Sequence, residues 1–72
     1  MTLEESYARH KAAYTGRRDW EWEDEGKWYA LADYYSCMGL FTADDRAFIE
    51  REGLADVAAD VLDYMGEKTE GG

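Results

Sequence analysis

Asp56, Asp60, Asp63 and Glu67 recur at i, i+4, i+7 and i+11, and no basic residue occurs between Arg51 and Lys68. On a helix that spacing draws one acidic stripe. Like charges three or four positions apart cost a helix roughly 0.2–0.5 kcal/mol per pair, and aspartate is a poor interior helix former. A stripe serving solubility alone would gain from interspersed lysines. This one reads as a surface for a basic partner, with an ordinary solvated face as the plainer alternative. Eleven residues at 1.5 Å rise span about 16 Å, or one charge every ~5–6 Å. Phosphates on one DNA strand advance about 3.4 Å each. The two densities are of one order, so the stripe fits a groove that otherwise holds a phosphate backbone.

A second acidic group, Glu21, Glu23, Asp24 and Glu25, is interleaved with Trp20 and Trp22. Tryptophan is a common interface anchor, whereas Glu and Asp are depleted at interface cores, so the mixture is unusual for a surface. Glu21, Trp22, Glu23, Asp24 and Glu25 are therefore candidate partner-binding residues beside the stripe. The alternative turns the tryptophans inward to complete the core; that is expected for one of them and stays open for the other.

Groups able to catalyse are few. His10 is the single histidine, and its spacing to Tyr7 and Tyr14 places it beside the apolar side of a first helix. It reads as a half-buried structural residue. Cys37 is the single cysteine and has no basic neighbour in sequence, so it reads as a helix filler and forms no internal disulfide. One His and one Cys cannot make a zinc site of the usual nitrogen and sulfur ligands. No Gly-rich phosphate loop, nucleophile motif, dinucleotide fingerprint or EF-hand loop is present. The expectation is a protein without enzymatic activity, metal or cofactor.

Charge narrows the partners. The chain has 72 residues and a formal charge of −9. Residues 1–18 carry Glu4 and Glu5 against Arg9, Lys11, Arg17 and Arg18, a net +2, so the remainder carries −11. Such a field repels nucleic acid and anionic membranes and attracts basic surfaces. The partner expected is a basic, nucleic-acid-binding protein, with no direct contact to nucleic acid or membrane and with a homodimer also compatible. The absence of an apolar leader or membrane-length run predicts a cytoplasmic protein.

These residues must be positioned by a small core. Leu, Ile, Val and Phe number only ten, which with this charge approaches the composition of disordered chains. The aromatics argue for a folded chain instead, since each can bury roughly 150–250 Å². Seven of the eleven lie between Trp20 and Phe41. On a wheel of 100° per residue, Trp28, Leu31, Ala32, Tyr34, Tyr35 and Met38 share an arc of about 160°, with Tyr29, Asp33, Ser36 and Cys37 opposite. A central helix is expected there, stopping at Gly39 with Leu40 folded back in a Schellman-type contact.

Thr2 and Glu5 form a capping-box pattern for a first helix over roughly residues 3–14, with Gly16 beyond it and Arg17 and Arg18 in the connection. The stretch from Trp20 to Gly26 is ambiguous. Trp20 to Glu23 alternates like a strand that could pair with residues 27–29, or Asp19 could cap a helical lead-in. An irregular or helical lead-in is preferred, with the central helix starting near Asp24. Thr42, Asp44 and Asp45 should cap a helix over about 43–52, the two acids serving its first turn, with Ala47, Phe48 and Ile49 inward. Residues 54–65 give the clearest amphipathic pattern, with Leu54, Val57, Ala58, Val61, Leu62 and Met65 on one face and Gly66 as the stop. The expected core sets Trp28, Leu31, Tyr35 and Met38 against Leu3, Tyr7, Phe48, Val61 and Leu62. The fold expected is all-α: one domain over residues 1–66, three to four short helices around an aromatic core, and a disordered C-terminal tail over residues 67–72.

In size, charge and lack of catalytic motifs the chain resembles small phage-encoded anti-CRISPR or anti-restriction proteins, several of which mimic DNA. The resemblance is one of character and assigns no residue roles. It implies an acidic inhibitor that occupies a basic nucleic-acid-binding surface of its target. The reading from a different class is a small structural or regulatory subunit that packs through its aromatic face in an oligomer.

Overall fold

Thr2 opens the first helix, α1 (Leu3–Ala13), as the pattern predicts: its hydroxyl accepts from the Glu5 N–H at 3.1 Å, and the Glu5 carboxylate accepts from the Thr2 N–H at 2.8 Å. The second bond holds the Glu5 carboxyl below the usual range. The computed structural model describes residues 2–66, so the expected tail over 67–72 lies outside the described residues. Tyr14 closes α1, and Gly16 turns the chain at φ +87°, a region that glycine enters without penalty.

Beyond this turn runs one long helical rod, α2, and the strand alternative for Trp20–Glu23 is not what forms. Its backbone is α-helical over Asp19–Glu21, widens into a π turn over Trp22–Gly26, and is α-helical again over Lys27–Met38. Asp19 does not cap it. Arg18 holds that position, and the Glu21 carboxylate accepts from the Arg18 N–H at 3.0 Å. The π turn has a visible cause. Trp22 is folded inward across Gly26, and a Cβ at position 26 would overlap the Trp22 ring while meeting Tyr14 Cε1 at 3.2 Å. Glycine inside a helix costs about 1 kcal/mol relative to alanine. Here the missing Cβ is what lets an indole lie against the rod.

The end of α2 differs from expectation. Gly39 adopts φ +80° and its N–H donates to the Tyr35 carbonyl at 2.7 Å, a single αL-type closure. Leu40 does not fold back: it is 55% exposed, and Phe41 takes that role, stacked on Tyr34 at 6.2 Å and tilted on Tyr35 at 5.2 Å. Since Phe41 covers that end of the rod, Met38 stays 48% exposed rather than buried. The Schellman pair of bonds occurs one helix later. There Gly53 donates to Glu50 O and Leu54 to Ile49 O at 2.8 Å, with Leu54 fully buried.

Helix α3 (Ala43–Arg51) starts from a second capping box between Thr42 and Asp45. Asp45 does more than complement the helix dipole. It is buried, and its Oδ2 accepts from both the Thr42 N–H at 2.9 Å and the Tyr34 hydroxyl at 2.7 Å. Asp45, Phe48 and Ile49 therefore occupy the inward face, and Ala47, on the other flank, is exposed rather than inward. The last helix, α4, is α-helical over Ala55–Val61 and ends in a second π turn over Leu62–Gly66. Leu62 lies at the flank of the apolar arc of α4, and it is 40% exposed instead of buried.

The fold is thus all-α, a single small domain in which α1 and α4 pack on α2. Helix α3 packs against α1 and α4 and meets the rod through the Tyr34–Asp45 hydrogen bond. Its core joins Leu3, Leu31, Tyr34, Phe48, Leu54 and Val61, with Tyr7, Trp28 and Tyr35 packed at its edge. Tyr7 is the aromatic hub, in edge-on contact with Trp22 at 5.1 Å and Phe48 at 5.4 Å. No helix among the described residues is long and apolar enough to cross a membrane.

Leu31 is fully buried, so Leu31→Ala should lower unfolding free energy by about 2–5 kcal/mol in denaturant melts, and an unchanged midpoint would refute the core assignment. Gly26→Ala should lower the melting temperature, although helix propensity alone predicts a rise; a more stable variant would contradict the Trp22 packing. The hydrogen bond to Asp45, aided by burial, pushes the Tyr34 phenol up from 10.0 to about 12. A group whose pKa is raised on folding contributes stability that is full below its unfolded value and fades as pH climbs through the folded one. Stability should therefore decline between pH 10 and 12, less steeply in Tyr34→Phe. At neutral pH that variant should be weaker by roughly 1–3 kcal/mol, because Asp45 loses a buried donor.

Candidate partner-binding surface

Three of the four residues of the expected acidic stripe lie among those described, on α4. Asp56 and Asp60 lie one turn apart on the α-helical part of α4, and Asp63 sits within its π turn. All three are exposed, and none of their carboxylates has a hydrogen bond or ion pair among the described residues. Glu67, the fourth expected member, lies outside the described residues. Opposite the stripe, Leu54, Ala58 and Val61 anchor the helix to the core, so the carboxylates are carried on a rigid element.

The second acidic group is arranged differently from the free surface expected of it. Trp22 is 9% exposed, held between Tyr7 at 5.1 Å and Tyr14 at 5.8 Å, so it is a core residue and cannot anchor a partner. Trp20 is the exposed tryptophan, at 55%. Glu21 takes a 2.7 Å ion pair from Arg17 as well as the Arg18 N–H, which hold its carboxyl below the usual range, the backbone bond foremost. Arg17 in turn lies 4.8 Å over the Tyr14 ring, so a residue expected to be loop surface ties the end of α1 to the start of α2. Glu23 pairs with Lys27 at 2.8 Å, and Glu25 accepts from the Tyr14 hydroxyl at 3.3 Å. Asp24 is exposed, with no hydrogen bond or ion pair among the described residues. Glu21 and Glu25 therefore serve the joint between α1 and α2, while Glu23 is paired within α2.

His10 is half-buried, as its spacing suggests. Its Nδ1 donates to the Ser6 carbonyl at 2.9 Å, and its Nε2 lies 3.9 Å from Asp33 Oδ2. Cys37 is exposed on α2. Among the described residues, no group of three or more His, Cys, Asp or Glu side chains converges on a metal-sized site.

The sequence did not foretell a groove of about 720 Å³ where α1, α2 and the end of α4 meet. His10 comes from α1, Trp28, Tyr29 and Asp33 from α2, and Tyr64 from α4. Tyr29 and Asp33 share a face by their four-residue spacing. Their meeting with His10 and Tyr64 is a tertiary event that no local pattern encodes.

No protein-family model matches the chain, and no significant match is found among curated proteins or among solved structures. Fold and surface together define the class: a small all-helical domain with an acidic helix face.

Lysine at positions 60 and 63 should leave the fold intact or slightly more stable, because both side chains are exposed and the change breaks a run of like charges. Circular dichroism melts of Asp60→Lys/Asp63→Lys check this. A large loss of stability would mean that these carboxylates serve the fold.

Proposed function

We propose that the protein is a non-enzymatic inhibitor that acts by binding, its acidic face occupying a basic nucleic-acid-binding surface on a target protein in the manner of a DNA mimic. This gives it the character of phage anti-CRISPR or anti-restriction proteins, working in the cytoplasm, which would be the host's if a phage encodes it. The observation that carries the reading is the set of exposed Asp56, Asp60 and Asp63 carboxylates with no cation against them among the described residues. A folded protein gains little from such a row, since like charges on one helix face repel. A partner that supplies lysine or arginine converts the repulsion into attraction and steers association.

An oligomeric subunit is the second reading. Its support is the exposed apolar set of Met38, Leu40 and Leu62, the last lining a groove of about 350 Å³ with Phe41, Ile49 and Ala58. Light scattering separates the two, since an apolar assembly persists without a partner and a basic-surface binder does not require one.

Affinity of the folded Asp60→Lys/Asp63→Lys variant for a captured basic partner tests the first reading. Charge reversal at two interface positions should weaken binding by about tenfold or more. Unchanged affinity would leave the stripe as a solvated face.

A further inference from the structure

The groove between α1, α2 and α4 has the lining of a site for a cationic side chain. Trp28 meets Tyr29 at 5.5 Å with the ring planes at 90°, and Tyr64 at 5.6 Å with the planes at 79°. Two tyrosine rings thus stand nearly perpendicular to one indole, an arrangement that presents aromatic faces and edges in several directions around a cleft. Aromatic faces carry negative potential and attract guanidinium or ammonium groups within about 6 Å of the ring centre. The molecule uses this contact elsewhere, with Arg17 over Tyr14 at 4.8 Å and Arg51 over Phe48 at 5.3 Å.

The polar side of the groove points the same way. Nδ1 of His10 donates to the Ser6 carbonyl, which can only accept, and its Nε2 lies 3.9 Å from Asp33 Oδ2. No lysine or arginine stands beside Asp33 among the described residues. Asp33 keeps 53% of its side chain exposed. An exposed carboxylate at the rim of an aromatic cleft calls for a ligand bearing N–H donors and a positive charge. Arginine suits it better than lysine: its planar guanidinium stacks on rings, is weakly hydrated, and presents its donors as a fork.

We propose that this groove receives an arginine side chain of the basic target protein, the guanidinium lying against the Trp28 and Tyr29 rings and donating to the Asp33 carboxylate. The inference rests on the reading of a basic protein partner and adds the residue that the partner inserts. The stripe on α4 would supply long-range attraction, and the groove would fix register by holding one side chain.

The test is an NMR titration of the full chain with the peptide acetyl-Gly-Arg-Gly-amide and with its citrulline counterpart, which keeps the shape and loses the charge. Amide and indole shifts should concentrate at His10, Trp28, Tyr29 and Asp33, and the citrulline peptide should bind about tenfold more weakly or worse. Asp33→Asn and Tyr29→Ala, both at exposed positions, should each weaken the arginine peptide by about fivefold or more. Asp60→Lys/Asp63→Lys should change it by no more than about twofold, since a single arginine meets the groove rather than the stripe. Equal binding of both peptides, or unchanged affinity in both groove variants, overturns the proposal and leaves the stripe reading standing. Shifts confined to residues 55–63, which do not line the groove, overturn it as well. If the groove variants lose the peptide while the stripe variant keeps the protein partner, the groove stands and the stripe reading fails.

Discussion

Ser6 donates its hydroxyl to the Ala30 carbonyl at 2.9 Å, with both residues fully buried. This contact between two small residues lets α1 and α2 approach closely, and the rest of the domain depends on that closeness. A larger residue at either position would force the helices apart, since interiors are packed to crystal-like density. On one side of the contact, Tyr7 reaches both Trp22 and Phe48 and so links three helices through a single ring. On the other, His10 is set against Asp33 on the neighbouring helix. Core and groove are therefore two flanks of the same helix–helix seam.

A chain with ten large aliphatic and phenylalanine residues cannot fill a core with them alone, and tryptophan and tyrosine make up the difference. Each carries a polar tip or an awkward shape that the fold must accommodate. The Trp22 indole is accommodated by a glycine and a widened helical turn, and the Tyr34 hydroxyl by a buried carboxylate that also caps α3. Among the described side chains, no buried polar atom lacks a hydrogen-bond partner. These arrangements tie the elements to one another: losing the Asp45 carboxylate would disturb a helix cap and the central rod together.

Much of the secondary structure was legible because its signals are local. Capping boxes at Thr2 and Thr42 and the glycines at 39 and 53 marked helix ends within a residue or two. The exposed face of α2 followed from its wheel. What misled was the edge of the apolar arc: the wheel counted Leu62 with the core, whereas this flank position of α4 is 40% exposed. Pairings across elements were equally hidden: Tyr34 with Asp45, Arg17 with Glu21 over the turn, and Phe41 in place of Leu40 and Met38. The same blindness applies to the candidate surfaces. The stripe on α4 was visible because one helix carries it, whereas Trp22 was misplaced and the groove unseen because three helices decide both.

Acidity and packing divide the labour in this molecule. Buried faces of α1, α3 and α4 hold the frame, and the Asp56, Asp60 and Asp63 carboxylates of α4 have no cation against them among the described residues. If that surface competes with nucleic acid for a basic partner, salt and DNA must both act on the complex. The most direct measurement is the dissociation constant of the captured complex as a function of salt, with and without a duplex DNA competitor. Affinity should fall about tenfold or more between roughly 50 and 300 mM salt, and DNA should displace the protein. An affinity that is flat with salt and indifferent to DNA would contradict the mimicry.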